Sequence, residues 1–264
     1  MGSFTRISQD AFEKIQMDAG ILVKNFDPSN PWAIEDSDIV ATTTGGINVQ
    51  CISQYSDMFE DVDNAPNNTM EGKHLDSQDC KISTTCVNVD GETIRLSLGA
   101  ADKAGGRVVP RRSLMQKDFA NVAWIGDLAN GGYAAAILSN ALSTGGLNLQ
   151  TSKNNKGQLQ LELTGHYSIK NINKVPMEFF VSGPVEHTVE ANLTNVTSDN
   201  PNNKAVHGQP YFATLTPADG YTLGTATVTM GGTDITSTAY DDGIIVIDDV
   251  TGNIVITCSG TAVT

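Results

Sequence analysis

Apolar and polar residues alternate with a period of two along much of this chain. Ile47-Asn48-Val49-Gln50-Cys51 sets apolar side chains on one face and amides on the other, and Ile94-Arg95-Leu96-Ser97-Leu98 and Leu159-Gln160-Leu161-Glu162-Leu163 repeat the pattern. Such alternation predicts antiparallel strands with one face in a core. Phe119 to Ile125 and Tyr133 to Leu138 are two further predicted strands. Helix is scarce. One is predicted from about Asp10 to Val23, where Phe12, Ile15, Ala19 and Leu22 share a face and Ser8 or Asp10 stands ready to cap the start. A second, short helix is predicted near Asn140 to Ser143, stopped by Gly145-Gly146.

Two long segments carry no period: Gln54 to Asp79, acidic and polar, and Gly99 to Arg112, with Gly105-Gly106 and then Arg107, Arg111 and Arg112. Long structureless loops are unusual in a compact domain and more often reach or are ordered by a partner, a first sign of an assembly protein.

The composition shifts near Gly183-Pro184. From Thr188 to Thr264 a single lysine, Lys204, faces eight acids, a net of −7 on under a third of the length. Tyr211, Ala213 and Leu215 alternate with Phe212 and Thr214; Ala226, Val228 and Met230 alternate with threonines; Ile254, Ile256 and Cys258 close the series. Turn signals at Pro217 to Gly220, Gly231-Gly232, Asp242-Gly243 and Thr251 to Asn253 separate them. Strands so spaced predict a small immunoglobulin-like sandwich, without the usual inter-sheet disulfide because only Cys258 lies here.

The whole chain has 264 residues, 39% hydrophobic and 17% charged, with a formal charge of −14. That size fits two ordinary domains, and that sign opposes a protein that grips DNA by counterion release. No apolar run approaches the length of a membrane span, so no membrane anchoring is expected, and Met1 to Asp10 has neither the basic nor the apolar region of a secretory signal. Cys51, Cys80, Cys86 and Cys258 are scattered and fit buried thiols in a reducing compartment better than a disulfide pair.

Catalytic chemistry is hard to place. His74, His166, His187 and His207 have no His or Cys neighbour at metal spacing. No nucleophile elbow, P-loop or H-E-x-x-H occurs. Asp57, Glu60, Asp61 and Asp63 suggest a calcium loop, but Ala65 and Pro66 fall where a ligand and the required glycine belong, which favours a solvated acidic loop. No catalytic, cofactor-binding or metal residue is therefore assigned. Arg107, Arg111, Arg112 and Lys117 would meet either nucleic acid or the acidic 54–79 segment of a neighbouring copy. The surplus of negative charge favours the neighbour.

Three stretches resemble the major tail proteins, or tail tube proteins, of long-tailed bacteriophages of Gram-positive hosts. They are Asp10 to Gly20 with Phe26-Asp27-Pro28; Leu98 to Asp102 with Val109 to Arg112, Asp118-Phe119 and Trp124 to Asp127; and Ile137 to Leu147 ending at Gly165-His166-Tyr167. The segment Tyr211 to Thr264 looks like the immunoglobulin-like module often appended to phage structural proteins. The resemblance implies a mainly β fold: a tail-tube β-sandwich with a flanking α-helix and long loops over residues 1–187, and an immunoglobulin-like sandwich over 188–264.

It also implies a non-enzymatic subunit of the virion tail, made in the host cytoplasm and without cofactors. Copies would pair edge strands into homohexameric rings stacked as a flexible, non-contractile tube, with a tape measure protein and terminator and baseplate proteins as partners. Double-stranded DNA would pass through the lumen at ejection without specific binding. Closing sheet edges against sister copies removes an edge liability, and an acidic or neutral bore lets DNA slide. The acidic loop, Arg95, Gln160 and Glu162 are the candidates for the lumen face. The C-terminal module would hang outside, in weak contact with host glycans. The alternative is a surface-displayed immunoglobulin-like binding or decoration protein, marked by exposed aromatics on loops; a hydrolase reading finds no acid–base pair to name.

Overall fold

The computed structural model describes Ser8 and residues 11–263. They form a mainly β protein, as expected, and divide into two compact units. One comprises residues 16–127 and 133–181. The other comprises Ser8 and residues 11–15, 128–132 and 182–263.

The first unit starts with strand β1 (Gln16–Lys24), followed by the long pair β2 (Thr43–Asp57) and β3 (Lys73–Cys86). Helix α1 (Gly91–Leu98) precedes the hairpin β4 (Ala101–Ala104) and β5 (Arg107–Pro110). Then come β6 (Ala120–Leu128), β7 (Tyr133–Ser143), β8 (Asn148–Gln150), β9 (Gln158–Thr164) and β10 (Met177–Ser182). The main sheet runs β1-β6-β7-β9-β3-β2, with β10 joined to β7 and β8 to β9. Both faces of its centre are covered. Val122 and Leu138 are fully buried in one cluster with Leu22, Ile82, Leu159 and Leu163, while Ala123, Ala135 and Val23 are buried in a second.

Those clusters explain why the predicted helix from Asp10 to Val23 is not formed. Asp10 lies outside the described residues, 11–14 make a turn, and Gln16–Lys24 is a strand. The adjacent residues Leu22 and Val23 are both fully buried, in different clusters. A strand points neighbours to opposite faces and a helix does not, so tertiary burial overrides the helical spacing. Gly20 at φ +69° lets the strand lie against β6, where an added Cβ would sit 2.2 Å from the Ile125 carbonyl oxygen.

Two further segments exchange types. Ile94 to Leu98, predicted as a strand, belongs to α1. The Asp90 carboxylate caps it by accepting from the Glu92 and Thr93 N–H groups, and Gly99 at φ +70° ends it. Five alternating residues also place Ile94 and Leu98 one helical turn apart, so the local pattern does not discriminate and the cap does. Asn140 to Ser143, predicted as a helix, is the end of β7, with Asn140 at φ +49°. The predicted strands around Ile47, Leu159, Phe119 and Tyr133 are found in β2, β9, β6 and β7. The two segments without a period are hairpins: β2 and β3 enclose 58–72, and Gly99 to Arg112 holds β4 and β5.

In the second unit follow β11 (Glu186–Thr194), β12 (Val196–Ser198), β13 (Lys204–Val206), β14 (Tyr211–Pro217), β15 (Tyr221–Met230) and β16 (Thr233–Asp234). The short helix α2 (Thr236–Ala239), β17 (Tyr240–Asp241), β18 (Ile244–Ile247) and β19 (Ile254–Ala262) complete it. One sheet runs β13-β11-β19-β15-β16, with β11 parallel to β19, and the other β12-β14-β18-β17. Both feed one core in which Tyr211, Leu215, Val228, Ile245, Ile256 and Cys258 are buried, so this part is a two-layer sandwich.

Candidate functional site

The most distinctive surface grows from the β2–β3 pair. β3 pairs with β9 only from Lys81 to Cys86, so Lys73 to Cys80 and their partners on β2 continue past the sheet as a two-stranded arm. The polar residues in this segment build it: Gln54 Nε2 donates to Asp79 at 3.0 Å, and Ser56 Oγ to Asp76 at 2.9 Å. At the tip Asp57 accepts from the Phe59 and Asn68 N–H groups, both at 3.0 Å, with Lys73 Nζ 3.5 Å away. The Phe59 bond is the main reason its carboxyl sits below the usual range. The arm's root is tied by Tyr167, whose hydroxyl accepts from Gln78 N at 3.0 Å.

This arm exposes Ile52, Tyr55, Met58, Val62, Met70 and Leu75, with Met70 80% exposed. Beside these apolar groups stand Glu60, Asp61 and Asp63, which meet no cation among the described residues. Large apolar groups held out on a two-stranded ribbon mark an interaction surface. Along the same pair β2 has a second unmet need: among the described residues it pairs with β3 alone, leaving its other edge open.

The predicted basic cluster is divided by the fold. Arg111 is turned inward, its Nε 2.7 Å from Asp102 and its Nη2 on the buried Asp118 carboxylate, which also accepts from Met115 N at 2.8 Å. Lys117 Nζ reaches Asp102 at 2.8 Å and, with Arg111, holds that carboxyl low. Arg107 and Arg112 remain exposed, and no ion pair to them is found among the described residues. Nearby Glu92 gathers Lys103 at 3.0 Å, Arg95 at 3.0 Å and Lys24 at 3.9 Å. The Lys103 bond does most to hold its carboxyl down. Between these groups lies a cavity of about 720 Å³ lined by Lys24, Arg95, Lys117, His166, Asn121 and Asn140, with no carboxylate on its wall. Its three cations are already paired within the chain, Lys24 and Arg95 with Glu92 and Lys117 with Asp102.

The remaining candidates are dispersed. His74 lies on the arm, and His166 packs edge-on against Phe119 with ring centroids 5.4 Å apart. His187 Nε2 and His207 Nδ1 meet at 2.9 Å, a pairing made by the β11–β13 register and invisible in the linear spacing. Burial is the first reason His207 titrates below the ordinary histidine value, and His187 the second. Among the described residues no group of three or more His, Cys, Asp or Glu is placed to hold a metal, and no helix is long and apolar enough to cross a membrane. Of the lumen candidates, Arg95 pairs with Glu92, Glu162 with Lys81 at 2.9 Å, and Gln160 accepts from Thr85 at 3.3 Å. Cys86 and Cys258 are buried and free, and Cys51 lies opposite Cys80, Sγ to Sγ 3.0 Å.

No family model matches the chain, and no curated protein matches it. Among solved structures the chain is similar to a component of the virion of a native gene transfer agent particle, at 9% identity and TM-score 0.33, over 61% of this chain and 95% of that one. It is also similar to a chain from the tail of an empty gene transfer agent particle of C6 symmetry, at 10% identity and TM-score 0.31, over 61% and 96%.

Proposed function

We propose that this chain is the tube subunit of a long-tailed phage tail, a structural rather than catalytic protein. Copies join through sheet edges into six-membered rings that stack around a DNA-conducting lumen in the virion. Residues 1–187 form the tube domain in this reading, and 188–264 form an outward immunoglobulin-like module. A tape measure protein and terminator and baseplate proteins are its further partners.

The open edge of β2 carries the reading. Over its 15 residues it has no Lys, Arg or Pro, and its two register shifts, at Thr44/Ile47 and Gln54/Tyr55, leave Ile47 to Gln54 between them as a regular stretch. Folded monomers blunt such edges with charge, proline or a covering segment, and an unblunted one is a template for another strand. A sister copy satisfies it, and the exposed apolar groups of the arm gain cover in the same step. The arm's unpaired Glu60, Asp61 and Asp63 suit the exposed Arg107 and Arg112 of a neighbour. Arg111 is spent within its own chain and is excluded from that contact.

A binding-module reading asks for aromatics clustered on loops of residues 188–264. Tyr211 is in the core, Tyr221 and Tyr240 are half-buried, and only Phe212 is exposed, on a strand. Negative-stain images and sedimentation of the purified chain test the proposal: rings or tubes of uniform width are expected. A monodisperse monomer at high concentration overturns it, and tubes that survive deletion of residues 188–264 make the outer module dispensable for assembly.

A further inference from the structure

We propose that Cys51 and Cys80 form an oxidisable dithiol, a covalent modification site at the root of the arm that closes to a disulfide when it meets a small-molecule disulfide. The two residues are direct partners in the β2–β3 register, and their sulfurs lie 3.0 Å apart. Directly opposed residues of antiparallel strands have Cα atoms roughly 4.5–5.5 Å apart, inside the roughly 4.4–6.8 Å window of protein disulfides. Bonding asks the sulfurs to approach by about 1 Å, within reach of side-chain rotation. The other two thiols are not so placed: Cys86 and Cys258 are buried and have no sulfur partner.

The two thiols differ in a way that sets the order of events. Cys51 is partly exposed and Cys80 fully buried. Cys51 thiolate therefore attacks one sulfur of the external disulfide, expelling one small thiol and leaving a mixed disulfide. Cys80 then loses its proton and attacks Cys51 Sγ, expelling the second small thiol. The chain gives up two protons and two electrons, and the oxidant becomes two thiols. Desolvation, with the Cys51 sulfur and Asp79 beside it, pushes the Cys80 thiol up to about 12, which makes the second step the slow one and hastens it as pH rises.

The location gives the bond a consequence. Cys80 is the last residue of β3 before its pairing with β9, and its carbonyl accepts from Gly165 N at 2.9 Å. A cross-link there ties the two strands of the arm together at the point where they leave the sheet. It rests on contacts inside one chain and holds whether or not copies assemble.

The test uses the intact chain, incubated with oxidised glutathione at pH 7 and pH 9, quenched with acid, denatured and alkylated. Trypsin places Cys51 in 25–73, Cys80 in 74–81, Cys86 in 82–95 and Cys258 in 205–264, so every pairing is distinct. The expected result is loss of two of the four thiols, a 25–73/74–81 cross-link that forms several-fold faster at the higher pH, and its abolition in Cys51→Ser. Because Cys51 is not in the fully buried core, that variant is expected to fold; a matched circular dichroism spectrum confirms it. Four free thiols, a glutathione adduct on Cys51 that never resolves, or a cross-link to 82–95 would each overturn the proposal.

Discussion

Asp118 offers the sharpest energetic test of how the chain organises its cationic surface. Its side chain is 1% exposed and that of its partner Arg111 13%, so solvent screens the pair little. Replacing Asp118 with Ala removes the carboxylate from Arg111 Nη2 and from the Met115 N–H. Breaking a buried ion pair by deleting one partner costs about 3–5 kcal/mol. Arg111 keeps Asp102 at 2.7 Å, which places the expected loss near the lower end, about 3 kcal/mol. Tryptophan fluorescence isolates the effect, because Trp32 and Trp124 both lie in the unit that holds Asp118. In urea the midpoint should fall by roughly 1 M for a slope of about 3 kcal/mol per M. Arg111→Met combined with Asp118→Ala should cost clearly less than the two single changes added together. A loss under about 0.5 kcal/mol for Asp118→Ala, or additivity within that margin, refutes the claim that the pair is buried and coupled.

Asp90→Ala should destabilise the same unit by about 1 kcal/mol through loss of the α1 cap, read in the same urea experiment. Burial pushes the Asp90 carboxyl up, but the Thr93, Glu92 and Asn88 bonds outweigh it and leave it lowered. Its contribution is thus whole above the unfolded value near pH 4 and fades as pH falls through the lower folded value, a dependence that Asp90→Ala should lack. Leu138→Ala, at a fully buried site between β6 and β9, should cost about 2–5 kcal/mol. Asn48→Lys with Gln50→Lys, both exposed on β2, should leave the melting temperature within a few degrees yet stop ring and tube formation in negative stain; tubes of normal yield would remove the β2 edge from the interface.

Strands were legible wherever a segment meets the core with one face. Leu159, Leu161 and Leu163 are buried in β9 and the residues between them are not, and Tyr211, Ala213 and Leu215 behave alike in β14. A segment buried on both sides, as at Leu22-Val23, loses its period. At Ile94 to Leu98 five residues fit two periods, and the decisive group, Asp90, lies just outside them. The arm has no period because neither face of it packs on the sheet, so burial leaves no mark on its sequence. Polar cross-strand pairs such as Gln54–Asp79 hold it instead. The basic cluster was visible, but its division was not. That Arg111 turns inward depends on Asp102 and Asp118 coming from either side of it, a matter of hairpin geometry.

Self-association of a chain with a formal charge of −14 needs a source of attraction that outlasts the mutual repulsion. Range decides this. At physiological ionic strength exposed charges are screened beyond about 8 Å, so the net charge acts weakly between copies until their surfaces nearly touch. At that distance the local arrangement matters, and the charge is unevenly spread. The segment Asp57 to Asp79 carries seven carboxylates against Lys73, a net of −6, whereas the surface around α1, β4 and β5 sets Lys24, Arg95, Lys103, Arg107, Arg111, Arg112 and Lys117 against Asp90, Glu92, Asp102 and Asp118, a net of +3. Contact that sets one against the other is attractive even though the molecules as wholes repel. Such pairing orients copies but adds little energy at an exposed rim. The strength must come from the open β2 edge and the apolar groups of the arm, which are indifferent to salt. In the proposed assembly raising the ionic strength therefore slows ring formation more than it loosens rings already closed.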